Sequence, residues 1–406
     1  MKPEKRFGRN SGVPLPAPAT GLDSQVHKIL LIFGTRPEAI KLCPVVRKLR
    51  EDSLRFGVSV CVTAQHREML DQVLQAFDVT PDHDLDLMLP GQTLFQSTSR
   101  ILAALEKVLA AEQPAMVIVQ GDTTTTLCGA LGAFYSGVPV AHVEAGLRTG
   151  DLRQPFPEEM NRVLTSRITD LHLAATEKGA ENLRSEGVAA ASISVTGNTG
   201  IDAVLYVRDG LERGTLLGRE WPELDLTKKL IVVTAHRRES FGDGFERICR
   251  ALAKIADRDD VQLVYPVHPN PNVQNPVQRY LASHPHVRLI EPQSYVPFVD
   301  LMRRAYLLIT DSGGIQEEGP SLGKPILVLR DKTERPEAVA AGTVKLVGTN
   351  ESRIVGEATA LIEDRVLYDQ MARTHNPYGD GQASARIADA IHSFLRSSAC
   401  TSSKSA

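Results

Sequence analysis

The chain has 406 residues, too many for one ordinary core, and two domains of roughly 200 residues each are the natural expectation. Its 46 basic and 49 acidic residues are mixed throughout, for a formal net charge of -3, so no charged block would draw nucleic acid or an anionic membrane surface, and a small-molecule ligand is expected. Cys43, Cys61, Cys128, Cys249 and Cys400 are scattered without C-x-x-C spacing, which argues against a disulfide framework or a zinc site and fits a reducing cytoplasm.

Residues 1–25 set Lys2, Lys5, Arg6 and Arg9 before a run of Pro, Ala and Gly with no apolar segment, which reads as a disordered extension rather than a signal peptide. His27 to Phe33 predicts a strand, followed at once by Gly34-Thr35-Arg36-Pro37 and a helical pattern through Arg50. Val58 to Thr63 is the next strand, ending at Ala64-Gln65-His66-Arg67-Glu68. A helix from about Thr93 to Ala111 leads into strand Met116 to Gln120, and strand Val138 to Val143 follows another helix. The second half repeats the plan: Leu230 to Thr234 runs into Ala235-His236, Val261 to Pro266 into Val267-His268, Leu307 to Thr310 into Asp311-Ser312-Gly313-Gly314, and Ile326 to Leu329 into Arg330-Asp331.

This alternation implies an α/β fold of two doubly wound parallel-sheet domains facing a cleft, over 26–198 and 199–382. A last helix, about 383–396, is expected to pack back on the first domain, ahead of a flexible tail, 397–406. No stretch approaches the roughly eighteen consecutive apolar residues of a membrane span.

Ligands of parallel α/β sheets bind beyond the carboxyl ends of strands, where polar residues cluster again and again in this chain. Asp311-Ser312-Gly313-Gly314 combines backbone N–H groups at a helix start, a hydroxyl and close-approach glycines, which suits a phosphate or diphosphate; its plain alternative is a tight turn with a serine cap. Glu318, one turn on, can accept from both ribose hydroxyls if a nucleotide binds there. Gly34-Thr35-Arg36-Pro37-Glu38 with Lys41 looks like the same construction carrying two cations, and Arg335 in T-E-R-P-E offers a third; solvated surface cations are the competing reading.

The stretch from Gln120 to Asn161 holds Asp122, His142, Glu144 and Glu158 together with Arg148, Arg153 and Arg162. His142 and Glu144, two apart at a strand end, are expected on one face. Crowded carboxylates can split into an acid and a base around a substrate, or they can form a salt network, and the residues alone leave both open. A metal site from Asp122, His142, Glu144 and His236 is disfavoured because no tight ligand motif is present. His236, beside Arg237 and Arg238, can donate to phosphate or move a proton, and Phe298 can wall a base. G-D-G-F-E-R at Gly242 lacks a third glycine and a preceding strand, so no nicotinamide cofactor is implied.

Seven ordered motifs carry a resemblance: F-G-T-R-P-E-A-I-K, T-A-Q-H-R-E-M-L, G-D-T-T-T-T-L, H-V-E-A-G-L-R-T-G, H-R-R-E-S-F-G, D-S-G-G-I-Q-E-E and T-E-R-P-E. Over nearly all of residues 27–395 the chain resembles the bacterial non-hydrolysing UDP-N-acetylglucosamine 2-epimerases, whose architecture is similar to that of the two-Rossmann-domain glycosyltransferases of the B type. The resemblance implies that Arg36, Lys41, Gln293, Phe298, Ser312, Gly313, Gly314, Glu318 and Arg335 hold the UDP portion, while Asp122, Glu144, Glu158 and His236 surround the sugar. It further implies a homodimer, no cofactor or metal, and an activating second substrate molecule near Gln65, His66 and Arg67. The implied reaction exchanges UDP-N-acetylglucosamine with UDP-N-acetylmannosamine by loss and return of UDP, feeding cell-surface polysaccharide synthesis. A hydrolysing 2-epimerase and a glycosyltransferase of the same fold are the alternatives. Ala235 stands where the family has Gly, and Gly319 where it has Ala.

Overall fold

The computed structural model describes residues 26–63, 67–89, 91–222 and 224–402. It contains two fully parallel sheets. The first has seven strands, β1 (His27–Phe33), β2 (Phe56–Val62), β3 (His83–Asp84), β4 (Met116–Gln120), β5 (Val140–Ala145), β6 (Leu171–Ala174) and β7 (Ile193–Val195), in the order β3-β2-β1-β4-β5-β6-β7. The second has six, β8 (Lys229–Thr234), β9 (Val261–Pro266), β10 (Val287–Ile290), β11 (Leu307–Thr310), β12 (Ile326–Val328) and β13 (Val344–Leu346), in the order β10-β9-β8-β11-β12-β13. The strand order therefore reverses between β1 and β4 in one sheet and between β8 and β11 in the other. A doubly wound sheet opens a crevice at such a switch point.

Alternation along the strands sends side chains to both faces. On β1, Ile29, Leu31 and Phe33 join the largest apolar cluster, while Leu30 and Ile32 join a separate one with Val117, Val119 and Val140. The largest cluster continues through Ile201, Val204 and Val207 of the Thr199–Arg213 helix into Val232, Leu308 and Val328 of the second sheet. That helix thus sits in a core shared by both sheets. Its N-cap, Asn198, donates its backbone N–H to the Tyr378 carbonyl at 2.9 Å, so the two passages of the chain between the sheets are tied together. The C-terminal helix, Ala383–Ser402, packs on the Arg36–Glu51 helix of the first sheet.

β5 runs two residues later than the apolar pattern predicts. Pro139 has no N–H to give a ladder, and the Val138 amide closes the preceding helix on Ala133. Gly319 packs tightly: a Cβ there would lie 2.7 Å from Ile326 Cδ1 and 2.8 Å from Leu308 Cδ1, so an Ala in its place needs those two methyl ends to shift. Among the described residues no helix is long and apolar enough to cross a membrane.

Candidate active site

At the first switch point β1 ends in Gly34, where a Cβ would come within 2.1 Å of Thr63 Oγ1 and 2.8 Å of Thr125 Oγ1. Thr35 then caps the Arg36–Glu51 helix in a reciprocal box with Glu38. Glu38 is 2% exposed; its Oε2 accepts the amides of Gly34 (3.1 Å) and Thr35 (2.7 Å), and its Oε1 the hydroxyls of Thr123 (2.7 Å) and Thr126 (3.2 Å). Burial raises its pKa against the pull of those bonds. The backbone here is less open to an anion than expected, because the Gly34 and Thr35 amides are satisfied by Glu38 and the Glu38 amide by Thr35 Oγ1 at 3.4 Å. What this turn presents is side-chain charge from Arg36 and Lys41.

The shared face expected for His142 and Glu144 is also corrected. A bulge interrupts the β5–β6 register between Val143 and Ala145, and Glu144 adopts a left-handed backbone with φ +65°. Such strain in a non-glycine residue tends to gather at functional sites. His142 stays fully buried with Nε2 2.7 Å from the Gly121 carbonyl, and burial drives its pKa down to about 3, so it is a neutral packing group. Glu144 turns outward, accepting Lys41 Nζ on Oε1 at 2.5 Å and the Gln120 side-chain amide on Oε2.

The other carboxylates each have separate company. Asp122 pairs with Arg162, which also holds the buried Glu159 at 2.9 Å, and Asn161 Nδ2 donates to the Asp122 carbonyl at 2.8 Å. Glu159 in turn accepts the Thr149 and Gly150 amides at 2.9 and 3.0 Å. Asp122, Glu159 and Arg162 therefore form a salt network within the charged stretch, with Arg162 at its centre. Arg148 leaves it for Glu186, at 2.6 Å, and Arg153 donates its backbone amide to Asp151 Oδ1 at 2.9 Å. Glu158, the first residue of the Glu158–Arg167 helix, is half-buried, and its side chain bonds to none of the described residues.

At the second switch point Asp311 follows β11 and is fully buried. Its Oδ2 accepts the amides of His236 and Arg237, each at 2.7 Å, across from the end of β8. His236 Nδ1 lies 3.5 Å from Asp311 Oδ1, and its ring stacks on His268 with centroids 5.3 Å apart. Burial lowers the His236 pKa, with Asp311 opposing and His268 and Arg237 assisting.

The amides of Gly313 and Gly314, at the start of the short Gly313–Glu318 helix, meet no acceptor among the described residues, and the Ser312 hydroxyl is not used as a cap. Here the backbone is open to an anion. Arg335 stands beside this turn, 3.5 Å from where a Gly313 Cβ would be, and its Nε donates to Glu317 Oε1 at 2.5 Å. Glu317 also accepts Asn198 Nδ2 at 2.8 Å, and burial of its carboxylate is outweighed by Arg335 and Lys41, which leave its pKa lowered. Glu318 goes the other way: burial first, then Glu317, push it up to about 8 against Lys41 and Arg36. Lys41 belongs to the first sheet's site and feels both acids of the second, so the two strand-end regions face each other.

The remaining expected residues lie further out. Gln293 donates to the Glu291 carbonyl at 2.6 Å and accepts from Arg219, while Phe298 packs half-buried on the core from the Tyr295–Arg304 helix. Arg67 is half-exposed and paired with Asp84 at 2.6 Å and Asp71 at 3.4 Å; Gln65 and His66 lie outside the described residues. Among the described residues no three His, Cys, Asp or Glu side chains are grouped to hold a metal ion. Sequence reasoning missed Glu38, Glu317 and Asp311 as organisers of the site, although Thr35-x-x-Glu38 is a capping-box signature.

Two Rossmann-like parallel-sheet domains that meet at their switch points define an α/β protein of the glycosyltransferase-B-like class. At 14% identity and a TM-score of 0.57, the calicheamicin glycosyltransferase CalG4 shares that fold. The family model described as UDP-N-acetylglucosamine 2-epimerase matches residues 47–392. The UDP-N-acetylglucosamine 2-epimerase of Escherichia coli O157:H7 is 58% identical over 369 residues, covering 90% of this chain and 98% of its own. The Neisseria meningitidis UDP-GlcNAc 2-epimerase, solved bound to UDP-GlcNAc, is 48% identical with a TM-score of 0.81, over 90% of this chain and 99% of that one. The chain belongs to the UDP-N-acetylglucosamine 2-epimerase family.

Proposed function

We propose that this chain interconverts UDP-N-acetylglucosamine and UDP-N-acetylmannosamine without hydrolysis. The hydrogen on C2 is not acidic in the resting sugar. As the C1–O bond to UDP breaks, positive charge grows at C1 and acidifies that hydrogen; a carboxylate removes the proton, and its bonding pair forms the C1–C2 double bond of a glycal. Return of a proton to the opposite face of C2, with UDP re-adding at C1, completes the inversion. UDP departs and returns, so nothing is consumed and no cofactor is needed.

The observation that carries this reading is Glu144, turned out by its left-handed backbone onto Lys41, opposite the open Gly313–Gly314 turn and Arg335. In this reading Glu144, Asp122, Glu158 and His236 handle protons around the sugar. Arg36, Lys41, Ser312, Gly313, Gly314 and Arg335 hold the diphosphate, Glu318 the ribose, and Gln293 and Phe298 the base. The domains divide as 26–198 and 199–382, with the last helix returning to the first. We assign the protein to the cytoplasm and its product to polysaccharide synthesis, with a second substrate molecule activating it near Gln65, His66 and Arg67. Phe95, Tyr135 and Leu164, exposed on neighbouring helices, support a second copy of the chain as partner.

Incubation with UDP-N-acetylglucosamine in deuterium oxide tests the reaction. Deuterium at C2 of UDP-N-acetylmannosamine is expected. Free N-acetylmannosamine with UDP would instead make it a hydrolysing enzyme, and no label at C2 would end the epimerase reading.

A further inference from the structure

We infer that Asp311 is a positioning residue for His236, holding the imidazole with its proton on Nδ1 and its Nε2 lone pair turned to the site. The inference rests on the proposed function only in giving His236 a proton to move. Asp311 is fully buried, and two amides at 2.7 Å use Oδ2 alone. Oδ1 is equally shut from water and has no hydrogen-bond partner among the described residues. Nearby hydroxyls are committed elsewhere: Tyr265 donates to the Ala235 carbonyl at 2.6 Å, and Thr234 and Thr310 bond each other at 2.6 Å. A buried carboxylate oxygen with nothing to accept from costs several kcal/mol. The group that faces it is His236 Nδ1 at 3.5 Å, a few tenths of an ångström beyond a hydrogen bond and closed by a small ring rotation.

That proximity selects the tautomer. An Nε2–H imidazole would set the Nδ1 lone pair against the carboxylate, whereas Nδ1–H turns the same contact into a charge-assisted bond. Because Asp311 is interior and the His236 side chain is 41% exposed, Nε2 is the edge that looks outward. When Nε2 takes up a proton, Asp311 offsets the imidazolium charge; when Nε2 releases it, the ring returns to the same orientation. The other charged or titratable groups against the ring are His268, stacked on it, and Arg237, whose guanidinium is 3.9 Å from Glu334. Both disfavour a positive charge on His236, so among the described residues Asp311 is the neighbour that favours it.

Nitrogen NMR of histidine-labelled protein, with His236 assigned by the His236→Asn variant, reads the tautomer directly. An Nδ1–H neutral ring is expected in the wild type, and an Nε2–H ring would overturn the inference without any change at Asp311. Asp311→Asn keeps an oxygen for the two amides but presents an N–H to Nδ1, so the ring should flip its tautomer and titrate at lower pH. Deuterium exchange at C2 should fall about 100-fold with KM within about threefold, and the pH limb that His236→Asn abolishes should move to lower pH. In a His236→Asn background the same change should cost less than about twofold, since the residues act as a unit. Equal losses in both backgrounds would reduce Asp311 to a loop support. A wild type with no C2 exchange would sink the proposed function and leave the tautomer measurement to decide the role of Asp311.

Discussion

The turns after β1 and β11 read alike in sequence and are wired in opposite directions. Each leaves a strand at a switch point, enters a helix and carries a buried carboxylate. In the first domain the acid lies downstream: Glu38 reaches back to take the amides of Gly34 and Thr35, its own turn. In the second it lies upstream: Asp311 takes the amides of His236 and Arg237 on the neighbouring strand's loop, which leaves those of Gly313 and Gly314 open. Strand-end amides withdrawn from water need acceptors, and whichever loop the carboxylate serves is closed to an external anion. The first turn is therefore a plug that aims cations, and the second is where backbone can meet a diphosphate.

The largest effect expected is on the side of the comparison that holds protons. Glu144→Gln should slow C2 exchange about 1,000-fold while UDP affinity by calorimetry stays within about threefold. Loss of UDP binding with normal exchange per bound substrate would reverse the assignment of the two halves. Next in size is the plug itself. Glu38→Ala strands the Gly34 and Thr35 amides, while the Thr126 and Thr123 hydroxyls keep the Gln120 carbonyl at 2.6 Å and each other at 3.1 Å, and it should cost about 2–4 kcal/mol in urea unfolding. Gly34→Ala should be comparably disruptive because its Cβ would sit 2.1 Å from Thr63 Oγ1. Gly314→Ala sharpens the contrast. Among the described residues only Ser312 Oγ lies near its Cβ, at 3.9 Å, so Tm should hold while UDP binds about tenfold more weakly. A Gly314→Ala variant that melted early yet bound UDP normally would show that the two turns are alike after all.

Much of this architecture was legible because the central strands are mostly apolar runs closed by Gly, Asp or His within a residue or two. Met116–Gln120, Val261–Pro266 and Leu307–Thr310 fall where the pattern puts them. The outer strands escaped notice: β3, β6, β7, β10 and β13 span two to four residues and carry polar residues such as His172, Ser194, Arg288 and Lys345 inside the run, whereas the equally short β11 and β12 open on unbroken apolar residues. The site was legible as a list of strand ends but not as a set of pairings. That Asp311 serves the His236 loop depends on β8 lying beside β11, which no local pattern states. Glu144 was expected to share a face with His142, and a single bulge separates them. Glu317 stayed hidden beside Glu318 because adjacent helix positions diverge, one toward Arg335 and Asn198, the other into a site where burial dominates.

Glu318 supplies the smallest and most specific prediction about the open turn. Burial, and Glu317 after it, move its carboxyl from an ordinary 4.5 to about 8 in the folded chain. Between those values the folded protein keeps a proton that the unfolded chain has already released. Its contribution to stability is thus complete below pH 4.5 and is lost as pH rises through 8. Glu318→Gln, uncharged at every pH, should match the wild type near the lower value and exceed it above the upper one by on the order of 1–3 kcal/mol. Unfolding followed at pH 5, 7 and 9 measures the gap, and a difference independent of pH would mean that Glu318 is solvated. The carboxamide oxygen can still accept from a ribose hydroxyl, so UDP affinity at pH 6 should change by less than about threefold. Stability and binding then part company at one residue, as they must if the second domain keeps its turn open at a cost that the plugged turn of the first domain avoids.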